Sequence, residues 1–592
     1  MRNDRRQVGF FAGDPMMVTA AGGLILVFAL LGLVWLGGTA GAWASGAGWH
    51  PPRFGPAMIF AALRGQSLWP GVATPWIVGG IAGVGGAVVA ATTTAAVLLL
   101  GRFRASVPGL ATLNDIRDFT HGPRLAQARR LVPALKDTPA KQIDPADTGV
   151  VLGHLEGTRQ MLRASLEDVT LVIAGPRSGK TSRIVIPQAL EATGFCLITS
   201  VRADAYLITQ RARERAGTTT LIDPQNVTHR PQSSYWDLVD WAGRSLDNAR
   251  KAAENLSEAV EDPDKKGGDA YFTASGQATL ANLLLAAGKG DRTLEDVLAW
   301  STDPMDPTPA QLLADSGLHA LAGALKETME LPDETRRGIY GHVQQALMPL
   351  YDPDIARWVT PQEGIHPFIP EHHVGARDTL YLLSKEGGGG AAGIIACLTD
   401  ACIDACVALA EASPAERMPT PARLILDEAA NVCRIKRLPK LYSHFGGRGI
   451  LVTTILQSYE QGVTTWGKSG MGSLWGAATI KLLGAGLDDY SFLDQISHLV
   501  GLRAIAEESL SISRQGTSTT RSRRRERIID AAELRELERS TALMLATSTR
   551  PALIRMPAWF EGPDSERIQS DYAHMSEQTR TLAAAKLTGD AS

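Results

Sequence analysis

The sequence is poor in cysteine, in aromatic residues and in net charge. Its 592 residues contain five cysteines, 6% Phe, Trp and Tyr, and 59 Lys and Arg against 62 Asp and Glu, for a formal charge of −3. Cys196, Cys397, Cys402, Cys406 and Cys433 show no Cys-x-x-Cys spacing, which excludes thiolate zinc ribbons and redox dithiol motifs and fits a reduced compartment. Cys402 and Cys406 can share a helix face, but without histidines nearby they read as small packing residues of an Ala-rich helix. The charge balance excludes a whole-chain attraction to nucleic acid, so any DNA-binding surface must be a local patch. The length excludes a single core and implies several domains.

Charge is also absent from two long runs near the N-terminus. From about Met16 to Leu36, and again from about Trp76 to Leu100, the chain is apolar for long enough to span hydrocarbon as a helix. The Gly/Pro/Trp-rich stretch between them, with Trp43, Trp49 and Trp69, suits an interfacial hairpin loop. Arg2, Arg5 and Arg6 precede the first run and Arg102 and Arg104 follow the second, against Arg53 and Arg64 between them. By the positive-inside rule both ends lie in the cytoplasm, giving a multi-pass protein of the cell (inner) membrane with most of its chain cytoplasmic. A cleaved signal peptide is the competing reading of the first run, but the run is long for such a segment and no clean cleavage site follows. Gly79, Gly83 and Ala87 recur every fourth residue and offer a small-residue face for helix packing.

After a linker, expected over 105–148, strand-like and helix-like segments alternate, which predicts an α/β sheet. The expected strands are Val169–Ala174, Phe195–Ser200, Thr219–Ile222, Thr379–Leu383, Leu424–Leu426, Ile450–Ile455 and Thr479–Leu483. Between about Trp236 and Trp358 the period turns helical, predicting an all-helical insertion between two strands.

The first of these strands breaks into Ala174-Gly175-Pro176-Arg177-Ser178-Gly179-Lys180-Thr181-Ser182, a phosphate-binding loop with alanine in place of the leading glycine. Such a loop turns its N–H groups around the β-phosphate of ATP, with Lys180 on the β/γ oxygens and the Thr181 hydroxyl on Mg²⁺. Ala174 is tolerable there if its φ stays negative. A second acidic element, Leu424-Ile425-Leu426-Asp427-Glu428, ends an apolar strand in two carboxylates: Asp427 to hold the water shell of Mg²⁺, Glu428 to orient and deprotonate the attacking water. Gln457, at the end of the strand that follows Gly446-Gly447-Arg448-Gly449, can bond the γ-phosphate or the lytic water. Arg448, flanked by glycine and expected to be exposed, is a candidate arginine finger for a neighbouring subunit; an ordinary loop arginine is the alternative. Arg521, Arg523, Arg524, Arg525 and Arg527, in a Ser/Thr-rich segment, form either a phosphate-contacting loop or a solvated linker. The tail after Trp559 lacks strong periodicity and reads as mobile or as a partner-binding extension.

The order of these motifs resembles the type IV coupling proteins of conjugation and type IV secretion, the TraG/TraD-like ATPases. It runs from two spans to the loop Gly175–Thr181, Thr199-Ser200-Val201-Arg202-Ala203-Asp204, a helical insertion, Thr379-Leu380-Tyr381-Leu382, Leu426-Asp427-Glu428-Ala429-Ala430-Asn431, Gly447-Arg448-Gly449-Ile450 and Leu456-Gln457-Ser458. The resemblance implies a RecA/FtsK-like P-loop motor with an inserted all-α domain and a two-helix transmembrane anchor. It implies a membrane-anchored homo-hexamer that uses ATP and Mg²⁺ to pass a relaxase–DNA complex, or a protein, to a secretion channel. It assigns the motor's roles to Lys180, Thr181, Asp427, Glu428 and Gln457, and leaves Arg202 and Asp204 without one. The expected division is an anchor over 1–104, a linker over 105–148, nucleotide-binding parts over 149–235 and 366–560, the helical insertion over 236–365 and a tail over 561–592. The competing functions are a DNA pump of the FtsK/HerA kind and a nucleotide-binding membrane receptor that docks relaxase or effector proteins with little hydrolysis.

Overall fold

The computed structural model describes residues 15–55, 58, 60, 61, 64, 66–103, 108–260, 270–385, 390–513 and 516–588, and separates into two compact units, Met1–Ala105 and Ser106–Ser592. Arg2, Arg5, Arg6 and Arg104, on which the expected topology partly rests, lie outside the described residues.

In the first unit two helices, Pro15–Ala42 and Thr74–Phe103, are 28 and 30 residues long. At 1.5 Å per residue each exceeds the roughly 30 Å of a bilayer's hydrocarbon, so each is long and apolar enough to cross a membrane. They meet through glycine, though not through the expected face. A Cβ on Gly80 would collide with the Gly37 carbonyl and the backbone of Gly41, and one on Gly37 with the backbone of Ile81. A Cβ on Gly79 or Gly83 meets nothing within 4 Å, and Ala87 is exposed. The fourfold spacing is real, but a shift of one residue turns a helix by about 100°, and the face through Gly80 is the one that packs. Trp69 departs from the interfacial expectation as well: it is buried against Gly38, with its indole N–H toward the Thr39 hydroxyl, while Trp43 and Trp49 are exposed. A third helix of comparable apolarity, Ala392–Glu411, is buried inside the second unit, with Cys397, Cys402 and Cys406 among its core residues.

The second unit is built on an eleven-stranded sheet. In chain order the strands of this unit are β1 Val150–Leu155, β2 Met161–Ala164, β3 Thr170–Ile173, β4 Cys196–Ser200, β5 Thr219–Ile222, β6 Ser234–Tyr235, β7 His366–Pro367, β8 Thr379–Leu383, β9 Ala422–Leu426, β10 Ile450–Leu456, β11 Ile480–Leu483, β12 Leu502–Ser513, β13 Gly516–Arg527, β14 Thr541–Ala546 and β15 Ala552–Arg555. The sheet order is β2-β1-β15-β14-β11-β3-β10-β9-β4-β8-β5. From β11 to β5 every pairing is parallel; from β11 to β2 every pairing is antiparallel. The parallel strands read as near-continuous apolar runs because helices cover both faces: Leu171, Val172, Ile173, Leu424, Ile425 and Leu426 are all buried.

Each expected strand falls on a parallel strand of this sheet, with ends shifted by at most two residues. Between β5 and β8 the described residues are mainly helical, including Leu246–Val260, Ala270–Lys289 and Asp333–Leu347, with the β6–β7 pair as a short exception. Three other segments differ from expectation. Residues 108–148 pack rather than link: helix His121–Leu131 and buried Ile116, Phe119 and Val132 cover the β1–β2 end of the sheet, where Arg124 donates to the Arg163 carbonyl at 2.9 Å. The basic run Arg521–Arg527 lies on β13, paired residue for residue with β12 as a long hairpin, not in a loop. The tail forms helix Ser565–Thr588, docked on helix Asp204–Glu214 through Ile568 and the Asp571 ion pairs to Arg211 and Arg215.

Candidate functional site

Strand β10 lies between β3 and β9, and all three run parallel. Their C-terminal ends, which carry the phosphate loop, Gln457 and Asp427-Glu428, therefore emerge side by side at one rim of the sheet, where doubly wound folds bind ligands.

The loop is held by backbone bonds to both neighbours of β3. The Ala174 N–H donates to the Leu456 carbonyl at 3.1 Å, and the Gly175 N–H to the Ala485 carbonyl at 2.9 Å. Gly175 is obligatory, because a Cβ there would collide with the Gly486 carbonyl. Ala174 keeps a negative φ, as required, and its methyl group is accommodated by a glycine elsewhere: a Cβ on Gly484 would stand 2.8 Å from the Ala174 Cβ. The loop's left-handed turns fall at Arg177, φ 57°, and Gly179, φ 86°. Lys180 folds back and donates through Nζ to the carbonyls of Ala174 and Gly175, both at 2.8 Å. Burial lowers its pKa, while Asp427 and Glu428 oppose the fall. The Ser182 hydroxyl donates to the Gly179 carbonyl at 3.1 Å, and the buried Ser178 hydroxyl has no partner.

Asp427 is 4% exposed, and its Oδ1 has no hydrogen-bond partner. Burial, reinforced by the neighbouring Glu428 carboxylate, pushes its pKa up to about 7 against the pull of Lys180 and a hydrogen bond from Thr181. Thr199 on β4 donates to the Asp427 carbonyl at 3.0 Å and fixes the strand end. Glu428 then turns into the left-handed region, φ 50°, a conformation that costs about 1 kcal/mol or more and swings its side chain toward β10. There the Gln457 amide donates to Glu428 Oε1 at 3.1 Å. Gln461 closes the network, accepting from the Gln457 N–H at 2.9 Å and donating to Asn431 at 3.0 Å.

Pro176, Arg177, Ser178, Gly179, Lys180, Thr181, Ser182, Asp427, Glu428 and Gln457 line one cleft of about 560 Å³, with Ala174 and Gly175 forming the turn behind it. Arg448 is not in it. It ends helix Leu438–Arg448 just before β10, at the far end of that strand from Gln457, and donates to Glu411 at 2.7 Å. Seven residues of strand put it about 23 Å from the rim. It is half-buried rather than exposed, 29% of its side chain being accessible.

Sequence reasoning left several cleft residues without a role. Arg202 and Asp204 line it from the end of β4, and so do Trp559, just before the tail, and Tyr572, on the tail helix. Gln461, four residues after Gln457 across the same strand-to-helix turn, had a readable spacing; Trp559 and Tyr572, far along the chain, had none. Among the described residues no cluster of His, Cys, Asp and Glu forms a metal site by itself. The acidic part of this site is a single buried carboxylate beside a hydroxyl, which suits a cation delivered with phosphates.

A sequence-family model described as "TraM recognition site of TraD and TraG" matches residues 421–539, the segment that carries Asp427, Glu428 and Gln457. Among curated relatives, the conjugal transfer protein TraG of Escherichia coli is 24% identical over 235 residues, 36% of this chain and 36% of that protein. Protein VirD4 of Rhizobium rhizogenes is 27% identical over 143 residues, 23% of this chain and 20% of that protein. The chain thus spans well under half the length of these relatives. Among solved structures, the bacterial conjugative coupling protein TrwB in an unbound form superposes with a TM-score of 0.49 at 15% identity, covering 69% of this chain and 88% of that one.

Proposed function

As a type IV secretion coupling protein of the TraG/TraD-like family, this chain is, we propose, a membrane-anchored ATPase that recruits a relaxase–DNA complex or a protein and drives it toward a secretion channel. The observation that carries the reading is the convergence, on adjacent parallel strand ends, of a phosphate loop with Lys180 and Thr181, a buried Asp427 with an unpartnered oxygen, and a Glu428 held by Gln457.

These residues fit Mg²⁺–ATP. Lys180 exchanges its two carbonyl acceptors for β- and γ-phosphate oxygens, and the loop's N–H groups take the β-phosphate. The Thr181 hydroxyl and the unpartnered Asp427 carboxylate would hold the cation. Mg²⁺ supplies neutralisation of the charge that develops on the transferred phosphoryl group. Glu428 orients the attacking water and accepts its proton, while Gln457, on the next strand, sets the carboxylate's position and couples it to the helix that starts at Tyr459. Arg448, remote from its own subunit's cleft, acts on a neighbour's, which requires a ring or dimer; a homo-hexamer is the assembly proposed. The two apolar helices anchor the motor in the inner membrane with its bulk cytoplasmic. The partners proposed are the relaxosome, including a TraM-like accessory protein at the matched segment, the channel, and DNA, single- or double-stranded.

The test is ATP hydrolysis by the full chain in lipid nanodiscs, alone and with single-stranded or duplex DNA. Turnover stimulated by single-stranded DNA supports the coupling role; stimulation by duplex alone favours a pump of the FtsK/HerA kind. Nucleotide binding with equal, negligible turnover in the wild type and Glu428→Gln would leave a docking receptor.

A further inference from the structure

The nucleotide cleft is chemically two-sided. Part of its lining is the phosphate rim already described; another part is Trp559 and Tyr572, packed with Ile186 and Ile208. Neither aromatic belongs to the parallel sheet. Trp559 follows β15, and Tyr572 lies about two turns into helix Ser565–Thr588. Their rings stand edge to face, centroids 6.5 Å apart, and both remain partly exposed toward the cleft rather than sealed in the core. Partly exposed aromatics that line the same cleft as a phosphate loop have the chemistry of a nucleobase platform.

The segment is also fastened to the phosphate loop itself. Arg183, two residues after Thr181, donates to the Met556 carbonyl at 2.6 Å and pairs with Glu561 at 3.2 Å, so that Trp559 is bracketed by both contacts. The guanidinium is 16% exposed, which gives this latch a fixed geometry rather than a floating surface pair. Behind it, Asp571, 7% exposed, receives Arg215 at 2.6 Å and places Tyr572 over the same wall.

We propose that Trp559, with Tyr572, is the base-binding wall of this site, and that the tail, positioned by Arg183, supplies the affinity for the purine of ATP that the phosphate loop cannot. This rests on the nucleotide-binding reading above. A stacked base contributes a large share of affinity, so Trp559→Ala weakens ATP by about tenfold or more. It leaves inorganic tripolyphosphate, which has phosphates and no base, unchanged.

Dissociation constants of ATP, GTP and tripolyphosphate, each with Mg²⁺, measured by calorimetry on the full chain in nanodiscs, test this. The expected result is selective loss of ATP in Trp559→Ala, recovery in Trp559→Phe, and a parallel loss for ATP and tripolyphosphate in Lys180→Ala. Similar losses of ATP and GTP in Trp559→Ala locate the contact on the base's face; a loss confined to ATP adds its edge. Unchanged ATP affinity in Trp559→Ala, or equal losses for ATP and tripolyphosphate, overturns the wall while leaving the phosphate site standing. Wild-type protein that binds neither ligand would instead remove the nucleotide reading itself. Arg183→Ala, which loosens the latch without touching a base, is expected to reproduce a weaker form of the Trp559→Ala selectivity.

Discussion

From β11 to β5 the sheet is parallel, buried on both faces, and every residue placed in the phosphate chemistry leaves it at one rim; from β14 to β2 it is antiparallel and none does. The difference follows from connectivity. A parallel strand must be followed by a crossover, so successive strands present their C-terminal ends together, and loops leaving those ends converge. Antiparallel neighbours alternate direction and cannot assemble such a rim. What the antiparallel part does is return the chain: β14 and β15 lead it back beside the phosphate loop, where Arg183 takes the Met556 carbonyl and Trp559 enters the cleft.

The sharpest way to test the division is to remove chemistry from the parallel rim without disturbing the fold. Glu428→Gln keeps the shape of the side chain and loses the proton acceptor; hydrolysis is expected to fall by about 10²–10⁴-fold with thermal unfolding little changed. Lys180→Ala is expected to abolish nucleotide binding and turnover together. Hydrolysis by Glu428→Gln at the wild-type rate would move the proton acceptor elsewhere.

Next in size is the ion-pair layer that ties helix Leu246–Val260 to the parallel half. Arg437, just past the acidic motif, pairs with Asp400 and Asp404, each at 2.6 Å; Lys251 also reaches Asp404, and Asn255 reaches Asp400 at 3.1 Å. Asp400 is 1% exposed, so Arg437→Ala leaves a buried carboxylate without its counter-charge and is expected to cost about 3–5 kcal/mol in denaturant unfolding. Arg437→Met with Asp400→Leu should recover much of this, because an apolar pair carries no desolvation penalty.

Asp427 gives a pH signature of the rim. Its folded pKa of about 7 lies above its unfolded value near 3.9, so the folded state holds the extra proton between them. The associated stability is fully present below about pH 4 and is lost as pH rises through 7, amounting to about 2–4 kcal/mol. Asp427→Asn should flatten this slope in unfolding curves between pH 4 and 8. Binding of Mg²⁺–ATP reverses the demand, since the cation favours the carboxylate. Calorimetry in buffers of different ionisation heat should therefore show proton release near pH 7 in the wild type and none from this position in Asp427→Asn, whose uncharged amide does not titrate there.

The same division explains what was legible in the sequence. The parallel strands of the large sheet declare themselves as apolar β-branched runs ending in glycine or acid, and all seven were readable, as were the positions of Lys180, Asp427, Glu428 and Gln457 at their ends; the two-residue parallel pair β6–β7 was not. The antiparallel strands were not: β13, with Arg523, Arg524 and Arg525, reads as a basic loop until its register with Ala506, Ile505 and Ala504 is seen. The packed stretch 108–148 is one polar helix, His121–Leu131, flanked by short turns around isolated apolar residues such as Ile116 and Phe119, and carries no strong apolar period. Trp559 and Tyr572 reach the cleft only through tertiary docking, which no local pattern encodes. On the membrane helices the spacing of small residues was readable and its phase was not, since Gly80 and Gly79 differ only in which way the helix is turned.

The smallest expected effect bears on the one irregularity of the phosphate loop. Alanine at 174 is possible because the Cβ it adds occupies the space left by Gly484, where β11 leaves the sheet beside β3. The two positions should therefore behave as a pair. Ala174→Gly removes a buried methyl group and is expected to change stability by less than about 1 kcal/mol. Gly484→Ala forces two Cβ atoms to 2.8 Å and is expected to cost about 1–3 kcal/mol and to weaken ATP as the loop shifts. Combining Ala174→Gly with Gly484→Ala transfers the methyl group to the other strand and should restore most of both. Additive losses in the double variant, read as a double-mutant cycle, would mean that the alanine is tolerated by its own backbone angle alone and owes nothing to the strand beside it.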